Sequence, residues 1–133
     1  MPTVLFLCVA NSARSQMAEG LARAMAPPGW RFLSAGSNPG VLNPLAVTVL
    51  GEQGIDISRH RAKGLDAVSL DDVDTIVTLC AEEACPVVPG KIRRVHWPLP
   101  DPALTDGTPE ARVVVFRATR DRLRELLPTL WDG

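Results

Sequence analysis

Two kinds of hydrophobic pattern alternate along the chain, short apolar runs and longer segments with a helical period. Residues 3–7 and 75–79 are nearly continuous apolar runs, which is typical of strands buried on both faces of a parallel sheet. Two further short segments complete a set of four predicted strands, at residues 3–7, 31–34, 75–79 and 93–96.

Segments with a helical period lie between and after these strands. Met17, Leu21 and Met25 form one apolar stripe on the first segment, which is the pattern of a helix packed on a core. Asn43 followed by Pro44 is a start signal for the second, because Asn caps a helix and Pro fits its first turn. The predicted helices are residues 13–26, 43–53 and 109–127, with a single helical turn at 69–72.

This alternation of strands and helices is typical of an open α/β sheet with parallel strands. We therefore predict one domain over residues 1–133, a three-layer sandwich with a central four-stranded parallel sheet flanked by helices. Ligands of such sheets bind beyond the carboxyl ends of the strands. Cys8 and Cys80 each directly follow a predicted strand, so they are expected to share one site.

Composition and charge narrow the classes of function. The 133 residues carry 14 basic and 15 acidic side chains, a net charge of −1 that does not favour nucleic acid or an anionic membrane as partner. We see no signal peptide, and no apolar run approaches the roughly 18 residues of a membrane span. We therefore expect a cytoplasmic monomer. In a reducing compartment, its three cysteines are inert core residues, metal ligands or redox-active thiols.

Residues 8–14 form a predicted strand-to-helix loop suited to an oxyanion, because backbone N–H groups and a helix N-terminus attract negative charge. Arg14 offers a planar fork for two oxygens of a tetrahedral anion. Cys8 is favoured there as a thiolate nucleophile, with Ser15 as a donor to its sulfur. The loop lacks glycine, so Asn11 is predicted in the left-handed conformation. The alternative is that Cys8 is an inert buried cysteine. The predicted oxyanion-binding residues are Cys8, Val9, Ala10, Asn11, Ser12, Ala13, Arg14 and Ser15.

Several motifs, in their order along the chain, resemble one family. The loop at 8–15 is similar to that of the low-molecular-weight protein tyrosine phosphatase fold, and the continuation is similar to thioredoxin-coupled arsenate reductases. That continuation comprises SQMAEG at 15–20, SAG at 34–36, GIDIS at 54–58, VTLC at 77–80, Cys85-Pro86, His96-Trp97 and Asp101-Pro102. The resemblance covers nearly the whole chain. It implies a low-molecular-weight phosphatase-like fold and reduction of arsenate to arsenite, with no cofactor and no metal.

The resemblance also implies a role for each of the three thiols. Cys8 would attack arsenate and form a thiol–arsenate adduct. Cys80 would then attack Cys8, expel arsenite and leave a Cys8–Cys80 disulfide. Cys85 would move the disulfide to Cys80–Cys85, where thioredoxin reduces it, each transfer being a thiolate exchange. The alternatives for Cys80 and Cys85 are a zinc site, for which the chain offers few further ligands, or two inert thiols.

Five residues take further roles from the same resemblance. Asp101 would be the general acid that protonates the leaving oxygen, the alternative being a turn residue before proline. Asn11, Glu19 and Ser34 match positions that bind potassium in some relatives, and Lys63 stands where those relatives have Asp. We predict that the Lys63 ammonium replaces the cation beside Glu19, so that activity does not depend on potassium. The alternative is that Lys63 is a solvated surface charge.

Two other functions stay open. A phosphatase of the same fold, acting on phosphotyrosine or small phosphoesters, needs Cys8, Arg14 and Asp101 but neither Cys80 nor Cys85. Phosphate and sulfate are expected to compete with arsenate, because all three are tetrahedral oxyanions. A non-enzymatic oxyanion-binding or redox-sensing module would not require the general acid.

Overall fold

A parallel sheet forms the centre of the chain in the computed structural model, which describes residues 2–81, 88 and 90–132. Its strands are β1 (Thr3–Cys8), β2 (Arg31–Gly36), β3 (Thr75–Thr78) and β4 (Arg93–His96). The order across the sheet is β2-β1-β3-β4, and every neighbouring pair is parallel. The predicted four-stranded parallel sheet is therefore confirmed.

Helices follow the strands at the predicted places. They are α1 (Arg14–Met25), α2 (Pro44–Gly51), α3 (Pro109–Leu126) and a short α4 (Thr129–Asp132), with single 3-10 turns at Leu65–Ala67, Leu70–Asp72 and Pro102–Leu104. The Asn43 side chain accepts a hydrogen bond from the backbone N–H of Leu45, at 2.9 Å, and Pro44 opens α2. The start signal identified in the sequence thus caps this helix as expected.

The two faces of β1 contribute to two different hydrophobic clusters. Val4 and Phe6 pack with Met17 and Leu21 of α1 and with Phe116 of α3 on one face of the sheet. This face carries the three long helices, which also contact one another. All six residues of β1 are buried, so the continuous apolar run marks a strand covered on both sides, as predicted.

The opposite face has a thinner cover in the described part of the chain. Leu5 and Leu7 pack there with Ile76 of β3 and Val73, and half-buried Leu65 lies against the same cluster. These neighbours belong to the segment with the 3-10 turns that leads into β3. Within the residues that the structure describes, the three layers are therefore long helices, the sheet, and a layer that contains the 3-10 turns.

The observed element ends differ from the predicted ones by one or two residues. β2 runs two residues further than predicted, because Ala35 and Gly36 pair with Leu7 and Cys8 of β1. β3 ends one residue earlier than predicted, and the three long helices are each slightly shorter. None of the helices in the described ranges has both the length and the apolar character needed to cross a lipid bilayer.

Candidate active site

Cys8 and Arg14 bracket the loop that joins β1 to α1, at the carboxyl end of the central strand. Cys8 is the last residue of β1 and a free thiol, only 2% exposed. Its Sγ accepts a hydrogen bond from the backbone N–H of Asn11 at 3.1 Å and lies 2.8 Å from Ser15 Oγ. The sulfur is therefore held by polar groups of the loop and of the first turn of α1.

Asn11 adopts the left-handed conformation predicted for it, with φ of 51°. Its side chain is fully buried and uses both ends of its amide. Asn11 Nδ2 donates to Ser15 Oγ at 2.7 Å, while Oδ1 accepts from Gln16 Nε2 at 2.9 Å and from the backbone N–H of Lys63 at 3.0 Å. These contacts stabilise a backbone conformation that most residues avoid.

The outer side of the loop is bonded to the segment that follows β2. The carbonyl groups of Val9, Ala10 and Ser12 accept hydrogen bonds of 2.9 Å from backbone N–H groups at positions 38, 40 and 43, respectively. Gly36 permits this close approach, since a Cβ at that position would lie 2.3 Å from the carbonyl oxygen of Val9. The loop thus turns its carbonyl groups away from the sulfur.

Arg14 connects the loop to the ends of the neighbouring strands. The residue is 3% exposed, and its Nη1 donates to the carbonyl oxygens of Leu79 at 3.3 Å and Leu99 at 2.9 Å. Its Nη2 lies 3.8 Å from Asp101 Oδ2. These contacts hold the guanidinium beside the loop, where its positive charge can bind an anion.

Asp101 serves as a turn residue and also faces Arg14. Its Oδ1 accepts from the backbone N–H of Ala103 at 3.0 Å, which caps the 3-10 turn Pro102–Leu104. The other oxygen points to Arg14, and the side chain is 25% exposed. The two interpretations of Asp101 are therefore compatible, because capping leaves one oxygen directed at the site.

Cys80 follows β3 next to the residue whose carbonyl binds Arg14. It is 1% exposed and disulfide-bonded. The preceding Leu79 donates its backbone N–H to the carbonyl of Leu7 in β1, at 2.9 Å, so the ends of β1 and β3 stay side by side beyond the strand pairing. Cys85, predicted as the third thiol, lies outside the described residues. Within the described ranges, no group of three His, Cys, Asp or Glu side chains is arranged to hold a metal.

Glu19, Ser34 and Lys63, the predicted support of the loop, do come together. Ser34 Oγ donates to Glu19 Oε1 at 2.8 Å, and Lys63 Nζ lies 3.2 Å from Ser34 Oγ and 3.7 Å from Glu19 Oε1. The Glu19 carboxylate is 4% exposed and also contacts Arg23 at 3.3 Å and His60 at 3.6 Å. Lys63 is thus placed against a buried carboxylate rather than free in solvent.

Two residues at the back of the loop were not identified as site residues from the sequence. Gln16 is fully buried behind Asn11, and His60 Nδ1 lies 3.1 Å from Gln16 Oε1. Burial lowers the pKa of His60, against the carboxylate of Glu19, which raises it. The sequence did offer one signal for Gln16: a polar glutamine directly follows Ser15 in the first turn of a helix that packs on the core.

Comparison with known proteins places these residues in a family context. Residues 3–132 match the family model described as low molecular weight phosphotyrosine protein phosphatase. The arsenate reductase of Bacillus subtilis is 42% identical over 132 residues, covering 95% of each chain.

Two solved structures extend the comparison. The arsenate reductase of Archaeoglobus fulgidus superimposes with a TM-score of 0.77 at 34% identity, covering 94% of this chain and 98% of that one. A thioredoxin-dependent arsenate reductase of Corynebacterium glutamicum has a TM-score of 0.69 at 30% identity and covers 97% of this chain and 61% of that one.

Proposed function

The chain belongs to the low molecular weight phosphotyrosine protein phosphatase family and groups with its arsenate reductases, and on that basis we propose that it reduces arsenate to arsenite through three thiols regenerated by thioredoxin. One observation carries the proposal. Arg14 ties the nucleophile loop to the carbonyl oxygen of Leu79, directly before Cys80. A second cysteine, Cys80, therefore follows the end of β3 beside the proposed nucleophile, and a phosphatase mechanism has no use for it.

The first step would be attack of the Cys8 thiolate on the arsenic atom. A sulfur–arsenic bond forms and one arsenic–oxygen bond breaks. Asp101 would give its proton to the departing oxygen, which leaves as water. Arg14 and the loop N–H groups would hold the remaining oxygens, because their positive charge faces the site. The contacts of Cys8 Sγ with Asn11 N–H and Ser15 Oγ support this role for the sulfur.

The second step would be attack of the Cys80 thiolate on the sulfur of Cys8. A sulfur–sulfur bond forms, the sulfur–arsenic bond breaks, and its electron pair stays on arsenic, which leaves as arsenite. The two thiolates are thereby oxidised by two electrons and arsenic is reduced by two. Cys85 would then displace Cys8 from the disulfide, and the dithiol of thioredoxin would reduce the Cys80–Cys85 bond. The position of Cys80 after β3 supports the transfer from Cys8.

A coupled assay tests the relay. Wild type, Cys80→Ser and Cys85→Ser are supplied with arsenate, thioredoxin, thioredoxin reductase and NADPH, and the loss of NADPH is followed. We expect multiple turnovers in wild type only. Hydrolysis of a chromogenic aryl phosphate is the control, because it requires only Cys8, Arg14 and Asp101 and should survive both substitutions.

Two results would decide against the relay. Sustained arsenate turnover in both serine variants would show that the second and third thiols are not needed. Aryl phosphate hydrolysis without arsenate turnover in wild type, lost in Cys8→Ser, would favour the phosphatase. That alternative rests on the same 3.8 Å approach of Arg14 and Asp101, which both reactions use.

We further propose that residues 1–133 act as one domain and as a monomer in the cytoplasm. A relay of reduced thiols requires a reducing compartment. Among the described residues, the large exposed hydrophobic side chains are scattered ones, Val41, Leu104 and Val114, which does not favour an extensive interface. Light scattering coupled to size exclusion would measure the oligomeric state.

A further inference from the structure

We propose that Gln16 is a positioning residue that sets the direction of the hydrogen bond reaching the Cys8 sulfur. The proposal rests on the proposed role of Cys8 as the nucleophile. Four side-chain hydrogen bonds form a chain from His60 through Gln16, Asn11 and Ser15 to Cys8. Two backbone groups, the carbonyl of Arg61 and the N–H of Lys63, determine which side chain donates and which accepts in these bonds.

The orientation of the Gln16 amide follows from Arg61. Gln16 is fully buried, and one end of its amide lies 2.9 Å from the carbonyl oxygen of Arg61 and 2.9 Å from Asn11 Oδ1. A backbone carbonyl can only accept, so the group facing it is the NH₂ of Gln16. The Oε1 of Gln16 is then left for the Nδ1–H of His60, at 3.1 Å.

The orientation of the Asn11 amide follows from Lys63 and Gln16 together. The backbone N–H of Lys63 can only donate, and it lies 3.0 Å from Asn11 Oδ1. With Gln16 Nε2 donating to the same oxygen, two donors hold Oδ1 on the side away from Ser15. The NH₂ group of Asn11 is consequently directed at Ser15 Oγ, at 2.7 Å.

The Ser15 hydroxyl has one hydrogen, and the contacts around it leave that hydrogen one destination. Its oxygen already accepts from Asn11 Nδ2, and the other side-chain partner within residues 2–81, 88 and 90–132 is Cys8 Sγ at 2.8 Å. Ser15 therefore donates to the sulfur, alongside the backbone N–H of Asn11 at 3.1 Å. Two donors on the sulfur favour the thiolate, which is the reactive form.

Without the Gln16 amide, the orientation of the Asn11 side chain is held by one donor, the backbone N–H of Lys63, instead of two. The Asn11 amide can then rotate by half a turn, present Oδ1 to Ser15 and take the hydroxyl hydrogen away from Cys8. Gln16 would thus act on the nucleophile through Asn11 and Ser15, without touching the bound anion. The nearby charged groups are Arg14 and Asp101 beside the loop, and His60, Glu19, Lys63 and Arg23 behind Gln16. Substitution of Gln16 changes none of these charged residues, and of their contacts it removes the one between Gln16 and His60, which keeps its contact with Glu19.

Alkylation of Cys8 provides the test. The full chain is reduced and treated with iodoacetamide across a pH series, and the Cys8 peptide is quantified by mass spectrometry. Loss of one hydrogen bond to a thiolate raises the midpoint of the pH–alkylation curve by about 1–2 pH units, and we expect that for Ser15→Ala. For Gln16→Met, which is neutral and similar in length, we expect at least about half of that shift.

A double-mutant cycle separates positioning from a general structural effect. If Gln16 acts through the Ser15 hydroxyl, Gln16→Met adds no further shift in a Ser15→Ala background. Gln53→Met is the matched control, because Gln53 is exposed and, in the described part of the chain, its side chain bonds only Arg124. It should leave the midpoint unchanged.

Three results would overturn the proposal: no shift in Ser15→Ala, no shift in Gln16→Met, or full additivity in the double variant. The alkylation curve does not depend on arsenate turnover. A failure of the proposed reductase activity is therefore distinguishable from a failure of this inference.

Discussion

Replacing Gly36 with alanine is expected to displace the loop that carries the nucleophile. An added Cβ would lie 2.3 Å from the carbonyl oxygen of Val9 and 2.9 Å from the backbone nitrogen of Asn11. Ordinary van der Waals contact begins at 3.4 Å, so β2 and the loop must separate by about 1 Å. No rotamer change relieves the contact, because both atoms belong to the backbone.

The displacement should affect activity more than stability. Overpacking of a buried position costs about 1–3 kcal/mol, which a folded domain often survives. A shift of about 1 Å in a catalytic group lowers turnover by about 100-fold. We therefore expect Gly36→Ala to be folded and to lose about two orders of magnitude in arsenate turnover and in aryl phosphate hydrolysis.

Gly51→Ala is the matched control for this substitution. A Cβ at Gly51, the last residue of α2, has no atom within 4 Å. Alanine is preferred to glycine in helices, so this variant should be unchanged or up to about 1 kcal/mol more stable, with full activity. Stability is measured by urea unfolding and activity by the two assays above.

Turnover of Gly36→Ala within about threefold of wild type would contradict this prediction, because the loss expected from a displacement of about 1 Å is far larger. An equal loss of activity in Gly51→Ala would contradict it too, because the effect would then not depend on the contact with the loop.

Two further predictions concern the cluster behind the loop. Arsenate turnover should be equal in potassium and sodium salts, because the Lys63 ammonium already lies 3.7 Å from Glu19; a clear rise of turnover with potassium would contradict this. Lys63→Met should lower the free energy of unfolding by about 1 kcal/mol, and the exposed control Lys91→Met should leave it unchanged. Because burial lowers the pKa of His60 in the folded chain, its stabilising contribution is complete above the ordinary value of 6.5 and is lost as the pH falls below it. The free energy of unfolding is measured with urea at about pH 7.5 and about pH 5.5. Its decrease between the two pH values should be smaller in His60→Gln than in wild type or in the exposed control His96→Gln, and an equal decrease in all three proteins would refute the role of His60.

The sequence predicted those local structural features that depend on neighbouring residues. The continuous run of β1 marked burial on both faces, and the Asn43-Pro44 pair marked the start of α2. Asn11 was predicted in the left-handed conformation because the loop has no glycine, and it has φ of 51°. These features depend on backbone sterics and on periodicity over a few residues, which the order of residues alone specifies.

Strand ends were less predictable, because partners distant in sequence determine them. β2 extends to Gly36 since β1 continues to Cys8 beside it, and its length follows from the pairing rather than from its own hydrophobicity. β3 ends at Thr78 although its apolar run continues and Leu79 still donates its backbone N–H to Leu7 of β1, so the length of the run does not predict the end of this strand either.

The sequence by itself determined which segments are strands and helices, and the loop with its cysteine and arginine, because each of these depends on residues close together in the chain. Only the tertiary structure decided what surrounds that loop. It brings the carbonyl of Leu79 to Arg14, the backbone of Lys63 to Asn11, and Gly36 to within contact of Val9. The direction of the hydrogen bonds reaching the sulfur depends on such contacts, because a donor or acceptor is assigned only when its partner is in place.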